Sequence, residues 1–334
     1  MPEAWGLPKI ASAEALAEWL GLDPPDLAWF ADLRGMTRQA PTEALRHYRY
    51  HVIVKRHGNL RLIEAPKPRL KAIQRQILTE MLDRVPPHEA AHGFVHGRSI
   101  ASFAAPHTGQ SAVLRLDLDH FFPRLQRARV RAFFETLGYR KPVATLLGGL
   151  CTNRAPRFLP WPDFATMQVH TAPHLPQGAP SSPSIANSCA YRADCRLAGL
   201  AAAAGVRYTR YADDLAFSGG DEFSRGALTF ATHVAFILGE EGFAVNHRKT
   251  RLMRQGVQQY LTGLVVNQHL NVDREDFDRL KATLTNCVRR GLASENREGL
   301  TDFRAHLEGR VGFVEWINPR RGERLRGLIL QIKD

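Results

Sequence analysis

Residues 207–218 read RYTRYADDLAFS. Aromatic and β-branched residues flank a short break at Asp213-Asp214, the pattern of two antiparallel strands joined by a tight turn. The stretch therefore predicts a hairpin whose tip carries adjacent carboxylates, Asp213 and Asp214. Two such groups repel each other, and a hard divalent cation that takes their oxygens removes the repulsion. Read alone, the same four residues also describe an ordinary solvated Asp-Asp turn. The apolar run Leu215, Ala216 and Phe217 that follows anchors the pair on a buried strand.

Upstream, residues 112–118 (AVLRLDL) form a second strand candidate. Leu114, Leu116 and Leu118 share one face, and Arg115, Asp117 and Asp119 the other. Asp117 stands near the strand end, just before Phe121-Phe122, where it could complete a three-carboxylate metal site. Two metal ions held there would activate a hydroxyl and stabilise a leaving pyrophosphate. Asp119 is a rival ligand whose plainer role is a surface acid. Between the two strands lies LPQGAPSSP, residues 175–183. Its Gly and Pro set a turn, and its small residues let a backbone or a flat base approach closely.

Farther out, HYRYHVIVK and LRLIE flank His57-Gly58-Asn59 and predict another hairpin, ended by Pro66 and Pro68. Leu70 to Leu82 follows as an amphipathic helix with Ile73, Ile77, Leu78 and Met81 inward. Helical patterns also cover residues 12–35, interrupted at Pro24-Pro25, then about 126–137, 184–204 and 223–239. A strand is expected over residues 257–266, with Gly263 inside it. From Arg274 onward the chain reads as helical and basic, with a break at Asn318-Pro319.

The 334 residues carry 45 Lys+Arg against 33 Asp+Glu, a net charge of +12. With 44% hydrophobic and 23% charged residues, a largely disordered chain is excluded. The basic excess favours an anionic partner, most simply nucleic acid. No apolar run approaches the roughly 20 residues of a membrane span. Residues 1–22 hold Glu3, Glu14 and Glu18 and no signal-peptide core, so a cytoplasmic location is expected. Cys151, Cys189, Cys195 and Cys287 form no CxxC pair, which argues against a zinc ribbon or a disulfide scaffold. Cys189 and Cys195 are expected as core residues of the 184–204 helix.

Taken in order, LRLDLDHFFPRL, LPQGAPSSPSIAN, YADDLAFSG, NHRKT and QYLTGLVVN resemble the palm motifs of a reverse transcriptase, and more narrowly of the retron type. RLIEAPKPRLKAIQRQIL is similar to the fingers segment of the same family. The resemblance implies an α+β right-hand polymerase. Its parts would be a helical N-terminal segment (1–46), fingers (47–110), an antiparallel-sheet palm (111–267) with an irregular insertion near 153–174, and a basic helical thumb (268–334). It also implies RNA-directed DNA synthesis, in which two Mg²⁺ ions help add dNMP to a primer hydroxyl on a structured non-coding RNA.

Residue roles follow from the same resemblance. Asp117, Asp213 and Asp214 match the metal-binding carboxylates. Phe122 matches the bulky residue under the sugar, which selects dNTPs by clashing with a 2′-hydroxyl. Gln177 and Gly178 match the turn that meets the incoming nucleotide, Lys249 a lysine near the triphosphate, and Arg61 and Lys71 basic fingers positions. Leu261-Thr262-Gly263 and His107 match elements tied to recognition of the cognate RNA, although Phe103 stands where that family has Asn. Arg289 and Arg290 belong to a thumb expected to grip phosphates. Further implications are an RNA-linked DNA product, a role in anti-phage defence, a separately encoded effector protein and no membrane. The alternatives are another defence-associated or group II intron-like reverse transcriptase, or a catalytically silent RNA-binding protein of this fold.

Overall fold

A computed structural model describes residues 5–54 and 60–332 of the chain. Two short helices come first. Helix α1 (Ala13–Leu20) is capped by Ser12 and closed by Gly21 in the left-handed conformation. Asp23 caps α2 (Pro24–Ala31), which starts on a proline whose missing N–H costs nothing there. Leu16, Leu20, Leu27 and Phe30 turn inward from the pair.

Strands β1 (Tyr48–Val54) and β2 (Leu60–Pro66) form an antiparallel hairpin in register from Tyr48↔Pro66 to Val54↔Leu60. The expected His57-Gly58-Asn59 turn lies outside the described residues. Pro68 opens α3 (Pro68–Glu80), which buries Leu70, Ile73 and Ile77. The short α4 (Ile100–Ala104) begins with a Ser99–Ser102 capping box and leads into β3 (Ala112–Asp117).

Helices α5 (Arg127–Thr136), α6 (Lys141–Leu150) and α7 (Phe164–Thr171) precede the long α8 (Ser182–Ala203). The segment near 153–174 is thus not wholly irregular, because Asp163 caps α7 within it. Strands β4 (Arg207–Tyr211) and β5 (Asp214–Gly219) make the predicted hairpin, and α9 (Asp221–Glu240) follows. Strand β6 (Arg251–Arg254) completes a four-stranded antiparallel sheet of order β4-β5-β3-β6.

The single strand expected over 257–266 is instead a hairpin. Thr262 and Gly263 both take positive φ, so the chain reverses between β7 (Tyr260–Leu261) and β8 (Leu264–Val265). Strand β9 (Asn271–Val272) pairs with β8. Helices α10 (Arg274–Arg290), α11 (Phe303–Ile317) and α12 (Pro319–Ile329) form the C-terminal lobe, with Asn318 capping α12 at the predicted break. Among the described residues no helix is long and apolar enough to cross a membrane.

The four-stranded sheet separates two cores. Leu114, Leu116, Leu215 and Phe217 join the larger one, with the N-terminal helices, α3, α5, α6, α8 and α9. Val113 and Ala216 point the other way, into a core shared with Phe103, Leu261 and the C-terminal helices. Both faces of the sheet are therefore covered, and Val113 takes the face opposite Leu114, as the strand period requires. Cys189 is buried as expected, but Cys195 faces solvent, because α8 turns that position away from the core.

Candidate active site

The β4–β5 turn consists of Ala212 and Asp213, since Tyr211 pairs with Asp214. Of these two only Ala212 has positive φ, at 54°. A side chain there is strained, and the surroundings hold it. Arg210, a fully buried residue of β4, sends one Nη1 bond to the Ala212 carbonyl (3.1 Å) and another to Asn187 Oδ1 (3.0 Å). Its Nε and Nη2 grip Asp194 of α8 at 2.8 and 2.6 Å. The strand edge itself is covered by residues 90–93, through Arg210 N to Ala90 O and His92 N to Arg210 O, each 2.7 Å. Gly93 then lies directly on the turn, where a Cβ would sit 2.6 Å from the Ala212 nitrogen.

This framework brings the three acids to one end of the sheet. Asp117 is the register partner of Asp214, and Leu118 N donates to the Asp213 carbonyl at 2.8 Å. Asp117 is buried. Burial, then the charges of Asp117 and Asp214, push the Asp213 carboxyl above its usual range. Burial raises Asp214 as well, partly offset by Arg115, whose Nε and Nη2 both reach its Oδ1 (2.9 and 2.7 Å). The 244–246 loop pairs with the end of β3, and from its far side Lys249 Nζ reaches both Asp117 oxygens, at 2.9 and 2.8 Å.

Among the described residues no three His, Cys, Asp or Glu side chains close into a metal-holding group. Two of the three acids are instead turned onto Arg115 and Lys249. The donor chemistry nonetheless fits hard divalent cations, being all carboxylate oxygen, with two members raised by burial and mutual repulsion that a cation would relieve. Asp119 is engaged elsewhere. It takes Arg124 Nη2 at 3.0 Å and lies 2.8 Å from His120 Nδ1, and the close His120 ring with Arg124 holds its carboxyl down at about 2 despite partial burial.

A catalytic-type turn set on this sheet narrows the identity, and comparison with known proteins decides it. The family model for reverse transcriptase (RNA-dependent DNA polymerase) matches residues 53–272. The retron Mx65 reverse transcriptase of Myxococcus xanthus is 43% identical over 96% of this chain and 72% of its own length. For the retron Mx162 reverse transcriptase of the same organism the figures are 39%, 95% and 66%. The chain belongs to the reverse transcriptase family. It is an RNA-directed DNA polymerase of the retron type, and that family works with divalent metal ions. The retron Ec86 reverse transcriptase of Escherichia coli is 30% identical over 83% of this chain and 79% of its own. Among solved structures, telomerase from Candida albicans with a TWJ fragment of telomeric RNA is similar at TM-score 0.46 and 11% identity, over 83% of this chain and 54% of that one.

The other residues singled out in this reverse transcriptase fall into two groups. Phe122 is half-buried, its ring 6.2 Å from Phe94 and 5.4 Å from the buried Phe121. Gln177 and the exposed Gly178 lie against β2. The Gln177 carbonyl accepts from Glu64 N at 2.8 Å, and a Cβ at Gly178 would sit 2.9 Å from the Glu64 oxygen. Arg61 on β2, Lys71 on α3 and Arg289 and Arg290 in the last turn of α10 are exposed cations.

Two of the positions expected to meet RNA are core residues instead. His107 is fully buried, its ring nitrogens bonded to Ser218 Oγ (2.7 Å) and Thr209 Oγ1 (2.8 Å) beneath the β4–β5 hairpin. Burial, with Arg207 nearby, holds its imidazole down at about 3, so it stays neutral there. Leu261 is likewise fully buried, in the core with the C-terminal helices. The turn residues Thr262 and Gly263 are partly exposed, and Gly263 lines a groove with Asp276, Phe277, Arg310 and Phe313. Phe103, in place of the family's Asn, packs its ring 5.9 Å from Tyr211.

Arg210, Asp194, Arg115 and Gly93 escaped the sequence reading. The available signal was an acid, Asp194, on the buried side of a small-residue-rich helix, between Arg192 and Arg196. Gly93→Ala is expected to lower extension by about 10–100-fold with little loss of RNA binding, because the new methyl displaces the acid-bearing turn. Steady-state primer extension beside a filter-binding assay checks it.

Proposed function

We propose that this polymerase copies a structured non-coding RNA into DNA that stays joined to that RNA, using dNTPs and two magnesium ions. The observation that carries the reading is the register of Asp117 against Asp214 with Asp213 next to it in the turn. Asp117, Asp213 and Asp214 would hold the ions. Bound there, the ions would supply the charge that favours the ionised primer hydroxyl and the departing pyrophosphate.

The chain's own residues do the rest by positioning and charge. Arg115 and Lys249, now on Asp214 and Asp117, are cations whose partners would be taken over at the loaded site. Lys249 is half exposed, so it can swing to the triphosphate. Arg61 and Lys71 would meet the same phosphates from the fingers. Gln177 and Gly178 would form the surface under the incoming nucleotide. The Phe122 ring would lie under its sugar, excluding a 2′-hydroxyl. Phe122→Ala is expected to raise ribonucleotide use relative to deoxyribonucleotide by roughly 10–100-fold, read from direct competition in primer extension.

Residues 1–46 serve as a helical N-terminal segment, 47–110 as fingers, 111–267 as palm with its insertion near 153–174, and 268–334 as thumb. Thr262, Gly263, Arg289 and Arg290 are the RNA contacts we retain, since a partly exposed turn and exposed cations can reach phosphates and base edges. The cellular role we assign is anti-phage defence from the cytoplasm, with a separately encoded effector protein. Primer extension by purified protein on an RNA template with Mg²⁺ tests the chemistry, and sequencing the copurified nucleic acid tests the product. A single RNA joined to DNA is expected. Tight binding of a structured RNA with no extension on any template would leave the silent binding protein as the better reading.

A further inference from the structure

Two ionisable side chains outside the cluster of three acids have no exposed surface at all, Glu64 of β2 and His174. Burying a charge is costly unless it is paired and bonded throughout. Here it is. Glu64 Oε2 lies 2.7 Å from His174 Nε2, and Glu64 Oε1 accepts from Asn153 Nδ2 at 2.7 Å. The other ring nitrogen, Nδ1, is 2.8 Å from the Ala172 carbonyl, which can only accept. Nδ1 therefore carries a proton, and a second proton must lie between Nε2 and Glu64. Asn153 also reaches the Tyr50 hydroxyl of β1 at 3.1 Å, and the His170 ring stands 5.4 Å from His174.

An apolar trio could fill this space with equal stability. What the polar one adds is direction, and the backbone indicates what it directs. Asn153 and His174 exchange both N–H···O bonds at 2.9 Å, closing the neck of the 153–174 insertion. Three residues beyond His174, the chain enters the Gln177–Gly178 turn. The residue that His174 and Asn153 hold by its side chain, Glu64, is the one whose N–H holds the Gln177 carbonyl. Gly178 seats against the backbone carbonyl of the same Glu64. One fingers residue is thus gripped by the insertion neck and in turn grips the turn that follows it.

We infer that Glu64, His174 and Asn153 form a positioning clamp that holds the Gln177–Gly178 turn against β2 and so sets affinity for the incoming nucleotide. This rests on the reading above that the turn meets the nucleotide. None of the three is a catalytic residue.

The test is steady-state primer extension, with KM for dNTP and kcat measured separately, alongside thermal melting. Glu64→Ala is expected to raise the dNTP KM about ten-fold or more while kcat changes less than about three-fold. Asn153→Ala, which leaves the ion pair in place, should shift KM the same way by about three-fold. Glu64→Gln should stay within about two-fold of wild type. Its amide N–H can donate to Nε2 of a neutral His174, and its carbonyl still accepts from Asn153.

A merely structural network predicts lower melting temperatures with dNTP KM unchanged in Glu64→Ala and Asn153→Ala, and that result overturns the clamp. So does a Glu64→Gln variant as impaired in KM as Glu64→Ala. Should Glu64→Ala fail to fold, Asn153→Ala and Glu64→Gln decide alone. Gln177→Ala separates the two readings. If it leaves dNTP KM unchanged, the assignment of the turn fails. If it raises KM while the clamp variants do not, the clamp alone fails.

Discussion

Replacing Asp213 and Asp214 together by Asn is expected to cut primer extension by more than about 10³-fold while binding of structured RNA persists. The loss follows from the site's chemistry. The amides keep the shape of the turn but give up the negative charge that would hold the metal ions, and no other acid stands ready, because Asp119 is held by Arg124 and His120. Stability should move the other way or not at all. Both carboxyls have folded-state pKa values raised above their usual range by burial and by neighbouring acids. A raised carboxyl contributes stability that is present below its unfolded value of about 3.8 and is lost as pH rises through the folded one. At neutral pH without metal the ionised pair is therefore a burden on the fold. The double Asn variant should melt no lower than wild type in metal-free buffer, and a melting scan beside the extension assay checks both halves. Extension at more than a tenth of the wild-type rate would remove these two acids from the chemistry.

Asp194→Ala is expected to be the most damaging single change to the fold, by about 3–5 kcal/mol. Asp194 accepts from Arg210 Nε and Nη2 and from the Tyr208 hydroxyl at 2.8 Å. Both charges are fully buried, with side chains 2% and 1% exposed. Removing the acid strands a guanidinium that water cannot reach. The same guanidinium holds the strained Ala212 carbonyl, so the damage reaches the Asp213–Asp214 turn. A fall in melting temperature of roughly 5–15 °C is expected. Extension should fall even at temperatures where the variant is still folded. Asp194→Asn, which retains acceptors for Tyr208 and one arm of Arg210, should lose less on both counts. Equal melting of Asp194→Ala and wild type would show that the buried pair contributes nothing.

Much of the site was legible because turn and strand chemistry are local. Strand formers on both sides of Asp213-Asp214 mark a hairpin, and Leu114, Leu116 and Leu118 mark the inward face of β3; the pairing of Tyr211 with Asp214 then moves the turn one residue back, to Ala212-Asp213. Failures came where a residue's role depends on a distant partner. His107 and Leu261 belong to motifs associated with RNA, yet they sit in the core under Ser218 and beside the C-terminal helices. Residues 257–266 hold enough strand formers to read as one strand, and only the positive φ of both Thr262 and Gly263 reveals the reversal.

Taken by itself, the sequence marked the two main hairpins, strand β3, most of the long helices, the basic excess and the resemblance to the family, since periodicity, turn residues and ordered motifs are written in neighbouring positions; α6, α7 and β6 carried no such mark. The tertiary structure alone decided which charges meet: Lys249 on Asp117, Arg115 on Asp214, Arg210 on Asp194, His174 on Glu64. Three of these pairs join residues about a hundred positions apart, and the fourth joins a strand to the helix before it. A buried charge must find its counter-charge in space, and sequence spacing does not record that distance.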